Sequence, residues 1–297
     1  MYPAPFRYHR AGSVAEAISL LSEIGEGARA LAGGQSLLVL LKARFDEPTD
    51  LVDLGRIPGL DTIEQADGEV RIGALATHAR IANSTVAEAV PIVKDAATGI
   101  ADNQVRSRGT IGGNVCSGDP SCDWPTLLIT LDAQVHCQGP NGKRTVPVAD
   151  FVEDLYLTVL EAGEIVTGIS FPTPVKGASG AYVGFKRCAP AYPTTSVGVQ
   201  LTLAGDDCKD VRIGLGSSGL TPIHARGAEA ELRGKTLTAA AIARAADAAV
   251  AESDPIDDQR GTAEFKQLLI NTLVKRSIGI ARRRGAGERV EASHEYY

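Results

Sequence analysis

Cysteine is sparse and scattered: Cys116, Cys122, Cys137, Cys188 and Cys208 form an odd set with no CxxC spacing. That excludes a secreted disulfide framework and leaves reduced thiols as the expectation. Long apolar runs are also missing, since no stretch reaches the ~18 consecutive apolar residues of a membrane span. The opening "MYPAPFRYHRAGS" has no basic head followed by an apolar core, so the chain is read as cytoplasmic. A basic surplus is absent too. The net charge of -6 and pI near 5.5 argue against a nucleic-acid surface or an anionic membrane as partner, and leave small molecules and proteins. There is no internal repeat, no low-complexity segment, and no Ser-His-Asp set, catalytic cysteine pattern or carboxylate pair in a plausible site.

What remains is an ordinary globular chain. Its 297 residues are 44% hydrophobic and 22% charged, enough for two or three domains. "SVAEAISLLSEI" places Ser13 and Glu16 at capping-box spacing, with Val14, Ala17, Leu21 and Ile24 on one helical face. "ARALAGGQSLLVLLKAR" reads as a short strand, a turn at Gly33-Gly34 and a helix from near Ser36. "EVRIGALAT" alternates as a half-buried strand, and "PIVKDAATGIADNQV" reads as one helix leading into the loop after it. Five further strands follow in "AQVHCQG", "EIVTGISFP", "AYVGFKRC", "TSVGVQLTLAG" and "DVRIGLGSS". From Ala225 the pattern turns helical, with Phe265, Leu268, Leu269 and Leu273 on one face. "PTPVKGASG", residues 172–180, is the candidate linker between an N-terminal α+β region and a smaller C-terminal unit.

Two glycine pairs, "AGGQS" and "TIGGN", are the candidate site. Adjacent glycines let backbone N–H groups converge on one point, a nest that binds an anion. Gln35, Ser36, Thr110 and Asn114 add uncharged donors, and a pyrophosphate suits the pair. Neither loop has the GxGxxG or GxxxxGK[ST] spacing of the common nucleotide motifs.

"ALAGGQSLLVLLK", "RGTIGGN" and "DPIDDQRGTAEFKQLL", in this order, resemble the FAD-binding medium subunit of molybdenum hydroxylases, the family of xanthine dehydrogenase and carbon monoxide dehydrogenase. The resemblance implies an α+β fold: a two-subdomain FAD-binding domain of the vanillyl-alcohol-oxidase (PCMH) type over residues 1–175, divided at about 57/58. A C-terminal domain of sheet and helices follows over 181–287, with a tail at 288–297. It implies FAD contacts from Leu31, Ala32, Gly33, Gly34, Gln35, Ser36, Leu37 and Leu38 in a first loop, and from Thr110, Ile111, Gly112, Gly113 and Asn114 in a second. Asp123 falls where the family sets a carboxylate on the ribose or adenine side. Ile100 and Val166 fall beside the flavin, and Lys186 falls near its polar edge, where a cation favours the anionic reduced form.

The sequence departs from the family at Gln35, where many members have His or Asn, although an amide still donates. "CSGDPSCDWP" replaces a commoner alanine-rich stretch. Cys116 and Cys122 have only Cys137 near them in sequence and lack a fourth ligand, so no metal is assigned. Trp124 reads as a packing anchor, and His78, His136 and His224 sit in no metal or triad pattern. Asp254, Asp257 and Asp258 read as capping or subunit-contact residues, and "ARRRGAGER" as a solvated tail or a contact with an acidic partner.

In function, the resemblance implies an electron-transfer subunit with no catalytic residue of its own. FAD would take electrons from the [2Fe-2S] clusters of a small subunit, downstream of a large molybdenum-cofactor subunit, and pass them to an external acceptor. A dimer of heterotrimers is the expected assembly. The alternatives are a stand-alone FAD-dependent oxidoreductase of the same fold and a non-enzymatic scaffold.

Overall fold

The computed structural model describes residues 2–292 and the backbone of 295 and 296. Three sheets follow one another along the chain. The first is parallel, in the order β1-β3-β2, from β1 (Arg7–Arg10), β2 (Ala28–Leu31) and β3 (Asp50–Asp53). Helices α1 (Val14–Ile24) and α2 (Leu37–Ala43) connect the strands. Ser13 caps α1 by accepting from the Glu16 N–H at 3.1 Å, and the Glu16 carboxylate reaches back to the Gly12 N–H at 2.8 Å. Such a cap contributes about 1 kcal/mol. Ala17, Ile18 and Leu21 then bury against Val52, Leu54, Ile57 and Leu60.

The second sheet is antiparallel, built from β4 (Ile63–Ala66) and β5 (Glu69–Gly73), then β6 (Gln134–Gly139), β7 (Gly142–Pro147) and β10 (Ile165–Pro172). The strand order is β4-β5-β10-β6-β7, with β8 (Val152–Asp154) and β9 (Leu157–Thr158) in a small separate ribbon. Between β5 and β6 run α3 (His78–Ala82), α4 (Thr85–Ala89), α5 (Pro91–Gly99), α6 (Asn103–Arg108), α7 (Ile111–Cys116) and α8 (Asp123–Thr130). Thr77, Ser84, Asp102 and Thr110 cap four of these helices. The stretch expected as one helix breaks at residues 100–102, because Ala101 takes a left-handed φ of +43° and Asp102 starts a new helix. The break takes the carbonyls at the end of α5 out of the helix, where the Lys186 and Arg106 side chains donate to them.

The third sheet is β14-β13-β12-β11-β15, from β11 (Ala178–Lys186), β12 (Thr195–Ala204), β13 (Asp207–Gly216), β14 (Ile223–His224) and β15 (Glu295–Tyr296). Its two faces follow from alternation along the strands. Val183, Val197, Val199, Leu201, Ile213 and Leu215 bury against α10 (Ala239–Glu252) and α11 (Ala263–Gly285), with α9 (Arg226–Ala230) beside them. Tyr182, Lys186, Gly198 and Gly214 occupy the opposite face, toward the second unit. Helix α8, buried at every residue, lies against that face so closely that a Cβ on Gly214 would fall 2.4 Å from the Thr126 carbonyl oxygen.

Two expectations are corrected here. On α11 the buried stripe is Leu269, Ile270, Leu273 and Val274, whereas Leu268 is 64% exposed and Phe265 lies at the margin. A period of 3.6 admits either stripe, and the sheet selects the one containing Lys266, whose Nζ donates to the Ile256 carbonyl at 2.7 Å. In the basic stretch after residue 281, Arg282, Arg283 and Arg289 are exposed as in a solvated tail, but Arg284 is not. Arg284 is buried, donates to both carboxylate oxygens of Asp95 at 2.6 and 2.9 Å, and reaches the Gly180 and Val290 carbonyls. The helix ends in a lock between α5 and the third sheet.

Candidate cofactor site

The first glycine loop joins β2 to α2. The backbone N–H groups of Gly33, Gly34, Gln35 and Ser36 donate to no protein group among the described residues. Gly34 takes a φ of +74°, and the Gln35 side-chain amide folds back on the Gly33 carbonyl at 2.9 Å. Four successive free donors around a left-handed glycine form an anion nest.

The second loop looks alike in sequence and is built differently. It opens helix α7, and four of its N–H groups are committed: Ile111 to the Ala76 carbonyl, Gly112 to Ala74, Gly113 to the Thr110 hydroxyl, and Asn114 to the Thr110 carbonyl. Gly112 is required by close approach, since a Cβ there would fall 2.6 Å from that of Ala74. This loop is the wall on which the first one rests. A Cβ on Gly33 would fall 2.2 Å from the Arg108 carbonyl oxygen and 2.9 Å from the Gly109 Cα.

Around this seam the other sequence-selected residues divide. Lys186 is buried and its Nζ donates to the Gly99 carbonyl at 2.6 Å, beside buried Ile100. Arg106 donates to the Ile100 and Ala101 carbonyls, both at 2.7 Å, which fixes the break after α5. Asp123 opens α8, buried, and accepts from the Tyr182 hydroxyl at 2.9 Å. Its neighbour Trp124 donates its backbone N–H to the Asn114 side chain at 3.3 Å, tying α8 to the second loop. Val166 is packed in the apolar core of the second unit, in the same cluster as Ile111, and the next residue, Thr167, accepts from the Ala74 N–H at 3.1 Å.

Sequence reasoning passed over three residues here. His78 is 3% exposed, and its Nδ1 accepts from the indole N–H of Trp124 at 3.0 Å. Burial pulls the imidazole pKa down to about 4; Asp123 opposes that shift and Arg106 adds to it. Tyr192, on the segment between β11 and β12, is 44% exposed at its outer edge while its hydroxyl interacts with the Ser36 side chain, and the desolvation of that inner end raises its pKa. Arg260 lies 6.0 Å from the Tyr192 ring centre and donates to the Ser121 hydroxyl at 2.6 Å and the Pro193 carbonyl at 3.3 Å. Arg187, Tyr192, Thr194, Gln259 and Arg260 line a cavity of about 420 Å³. The proline on the C-terminal side of Tyr192 was the available signal; nothing local marks His78.

Cys116 and Cys122 are held as thiols, the Cys116 pKa pushed up to about 12 by burial. Among the described residues no group of three His, Cys, Asp or Glu side chains could hold a metal ion. Asp257 and Asp258 act locally, accepting from the Ala263 and Arg260 N–H groups.

The family described as FAD binding domain in molybdopterin dehydrogenase matches residues 4–174, and that described as CO dehydrogenase flavoprotein C-terminal domain matches 180–281. The chain belongs to the FAD-binding medium subunits of the molybdenum hydroxylases. It is 39% identical to the carbon monoxide dehydrogenase medium chain of Hydrogenophaga pseudoflava, over 95% of this chain and 98% of that one. It is 35% identical to subunit alpha of the 6-hydroxypseudooxynicotine dehydrogenase complex of Paenarthrobacter nicotinovorans, over 99% and 100%. Among solved structures, the Hydrogenophaga carbon monoxide dehydrogenase superposes with a TM-score of 0.94 at 40% identity, covering 96% of this chain and 99% of that one. Quinoline 2-oxidoreductase from Pseudomonas putida 86 gives 0.91 at 32%, with the same coverage. This medium subunit is therefore an oxidoreductase component with an FAD-binding domain and a flavoprotein C-terminal domain. Among its described residues, no helix is long and apolar enough to cross a membrane.

Proposed function

We propose that this medium subunit holds FAD at the seam of the two loops and relays electrons from the [2Fe-2S] clusters of a small partner subunit to an external acceptor. A large molybdenum-cofactor subunit would oxidise the substrate, the three chains pairing as a dimer of heterotrimers in the cytoplasm. The observation that carries the reading is the run of four free N–H groups from Gly33 to Ser36, which suits a diphosphate. Bound FAD supplies redox chemistry that no side chain has.

The chain's own residues bind and orient. Leu31 to Leu38 would hold the pyrophosphate, with Thr110 to Asn114 as the rigid wall behind it. Asp123, held by Tyr182, would meet the ribose or adenine side. Ile100 and Lys186, fixed at the break after α5, would border the flavin, and Val166 would support it from the core. Residues 1–175 would then act as the FAD-binding domain and 181–287 as the C-terminal domain. The named substrates of the relatives run from carbon monoxide to quinoline while the fold stays at TM-scores of 0.94 and 0.91. That supports work independent of the substrate.

The test uses the assembled complex. Reducing the iron–sulfur partner should bleach the flavin absorbance, and adding acceptor should restore it. A flavin that stays oxidised while the clusters are reduced overturns the relay, and a colourless chain that does not bind FAD overturns the whole reading.

A further inference from the structure

We propose that His78 is a cofactor-contacting residue, its Nε2–H presented at the seam of the two glycine loops to donate to a phosphate oxygen of FAD. The inference rests on the loop reading above and adds a donor that neither loop contains.

Three observations carry it. The first is the tautomer. The indole N–H of Trp124 can only donate, and it donates to Nδ1 at 3.0 Å, so Nδ1 is unprotonated and the imidazole proton sits on Nε2. The second is position. The His78 N–H donates to the Gly109 carbonyl at 3.0 Å, and Thr77 bridges Thr110, so the residue is stitched to the second loop by backbone. Nε2 lies 2.8 Å from where a Cβ on Gly109 would be, and the Gly109 Cα is itself 2.9 Å from the corresponding point on Gly33. Gly109 is thus flanked by the imidazole edge and by the first loop. The third is the partner count: the side chain is 3% exposed, and no group among the described residues accepts from Nε2–H. Nε2 is not among the side-chain atoms that are both fully buried and unpartnered, so its N–H keeps access to the space at the seam, where a bound anion would accept from it. A neutral imidazole suits the task, because it donates without placing a second cation beside Arg106.

The competing role is structural, with His78 serving only as the acceptor for Trp124. Two substitutions separate them. His78→Asn sets an amide oxygen where Nδ1 sits and keeps the Trp124 bond, but nothing replaces Nε2–H. His78→Gln sets an N–H near Nε2 and gives up the Trp124 acceptor. FAD is titrated into the deflavinated full-length chain, followed by flavin fluorescence, with a thermal melt of each variant and phosphorus NMR of the bound cofactor.

The expectation is a Kd raised about 10- to 100-fold in His78→Asn, the value of one hydrogen bond to a charged acceptor, with a melting temperature near the parent's. His78→Gln should bind within about threefold of the parent even if it melts earlier, and the phosphorus shifts should move in His78→Asn alone. Parent-like affinity and phosphorus shifts in His78→Asn overturn the proposal. Gly33→Ala, run alongside, separates the two readings. If it loses FAD while His78→Asn does not, only the His78 contact falls; if neither loses FAD, the loop reading falls with it.

Discussion

Replacing Gly33 by alanine should cost FAD binding far more than it costs the fold. The new Cβ would sit 2.2 Å from the Arg108 carbonyl oxygen and 2.9 Å from the Gly109 Cα, both backbone atoms that cannot swing aside. Ordinary contact begins near 3.4 Å, so the first loop must lift off the second by about 1.2 Å. A hydrogen bond from a loop N–H to a phosphate oxygen does not survive that displacement. Losing one such bond costs about 1.5–3 kcal/mol, or roughly 10- to 100-fold in Kd, and losing two multiplies the effect. Gly59→Ala is the control: its φ is +80° and nothing lies within 4 Å, so it carries only a backbone penalty of about 1 kcal/mol and meets neither glycine loop. Equilibrium titration of the deflavinated variants with FAD, paired with thermal melts, reads both effects. Gly33→Ala binding FAD within threefold of the parent would refute the reasoning, because the seam would then tolerate a gap of one ångström.

Arg284→Met leaves Asp95 buried without its counter-charge and should destabilise the chain by about 3–5 kcal/mol, with much of the loss recovered in the Asp95→Asn/Arg284→Met double variant, as measured by denaturant unfolding. With a folded pKa of about 4 against ~6.5 unfolded, His78 binds fewer protons folded than unfolded, so its contribution is complete above about pH 6.5 and is lost as pH falls toward 4, by about 3 kcal/mol in all; His78→Asn should flatten that part of the stability profile. Lys186→Met removes the buried cation beside the Gly99 carbonyl and should shift the flavin midpoint potential negative by roughly 30 mV or more, about 1.4 kcal/mol for two electrons, read by spectroelectrochemistry.

Much of this could be read from local pattern. The capping residue Ser13 and the alternation in "TSVGVQLTLAG" are signals of short range, and each became the element it announces. The α+β order of elements followed from them. What stayed hidden depends on partners distant in sequence. Both glycine pairs announce a turn, but the second opens helix α7, and the carbonyls of Ala74 and Ala76, contributed by the stretch after β5, take up the N–H groups of Gly112 and Ile111. Arg284 reads as solvated until Asp95, 189 residues earlier, is placed beside it. His78 has no motif around it, and its tautomer is set by Trp124, 46 residues away. Leu268 shares helical spacing with true core residues and is excluded only by the position of the sheet.

Those distant contacts share a direction, and it bears on how the site keeps its geometry. Lys186, Tyr192 and Arg260 all come from the third unit, yet they meet Gly99, Ser36 and Ser121 of the first two. Asp123 is placed from the same side, since Tyr182 holds it and α8 lies flat on the third sheet at Gly214. A slide of that sheet would therefore move Lys186, Tyr182 and α8 together, disturbing at once the contacts at Gly99 and at Asp123. The Asp95–Arg284 pair opposes the slide, because Arg284 also bonds the Gly180 carbonyl on β11 and Asp95 accepts from the Tyr182 N–H. The Asp95–Arg284 salt bridge would thus hold Lys186 and Tyr182 in place relative to α5 and α8.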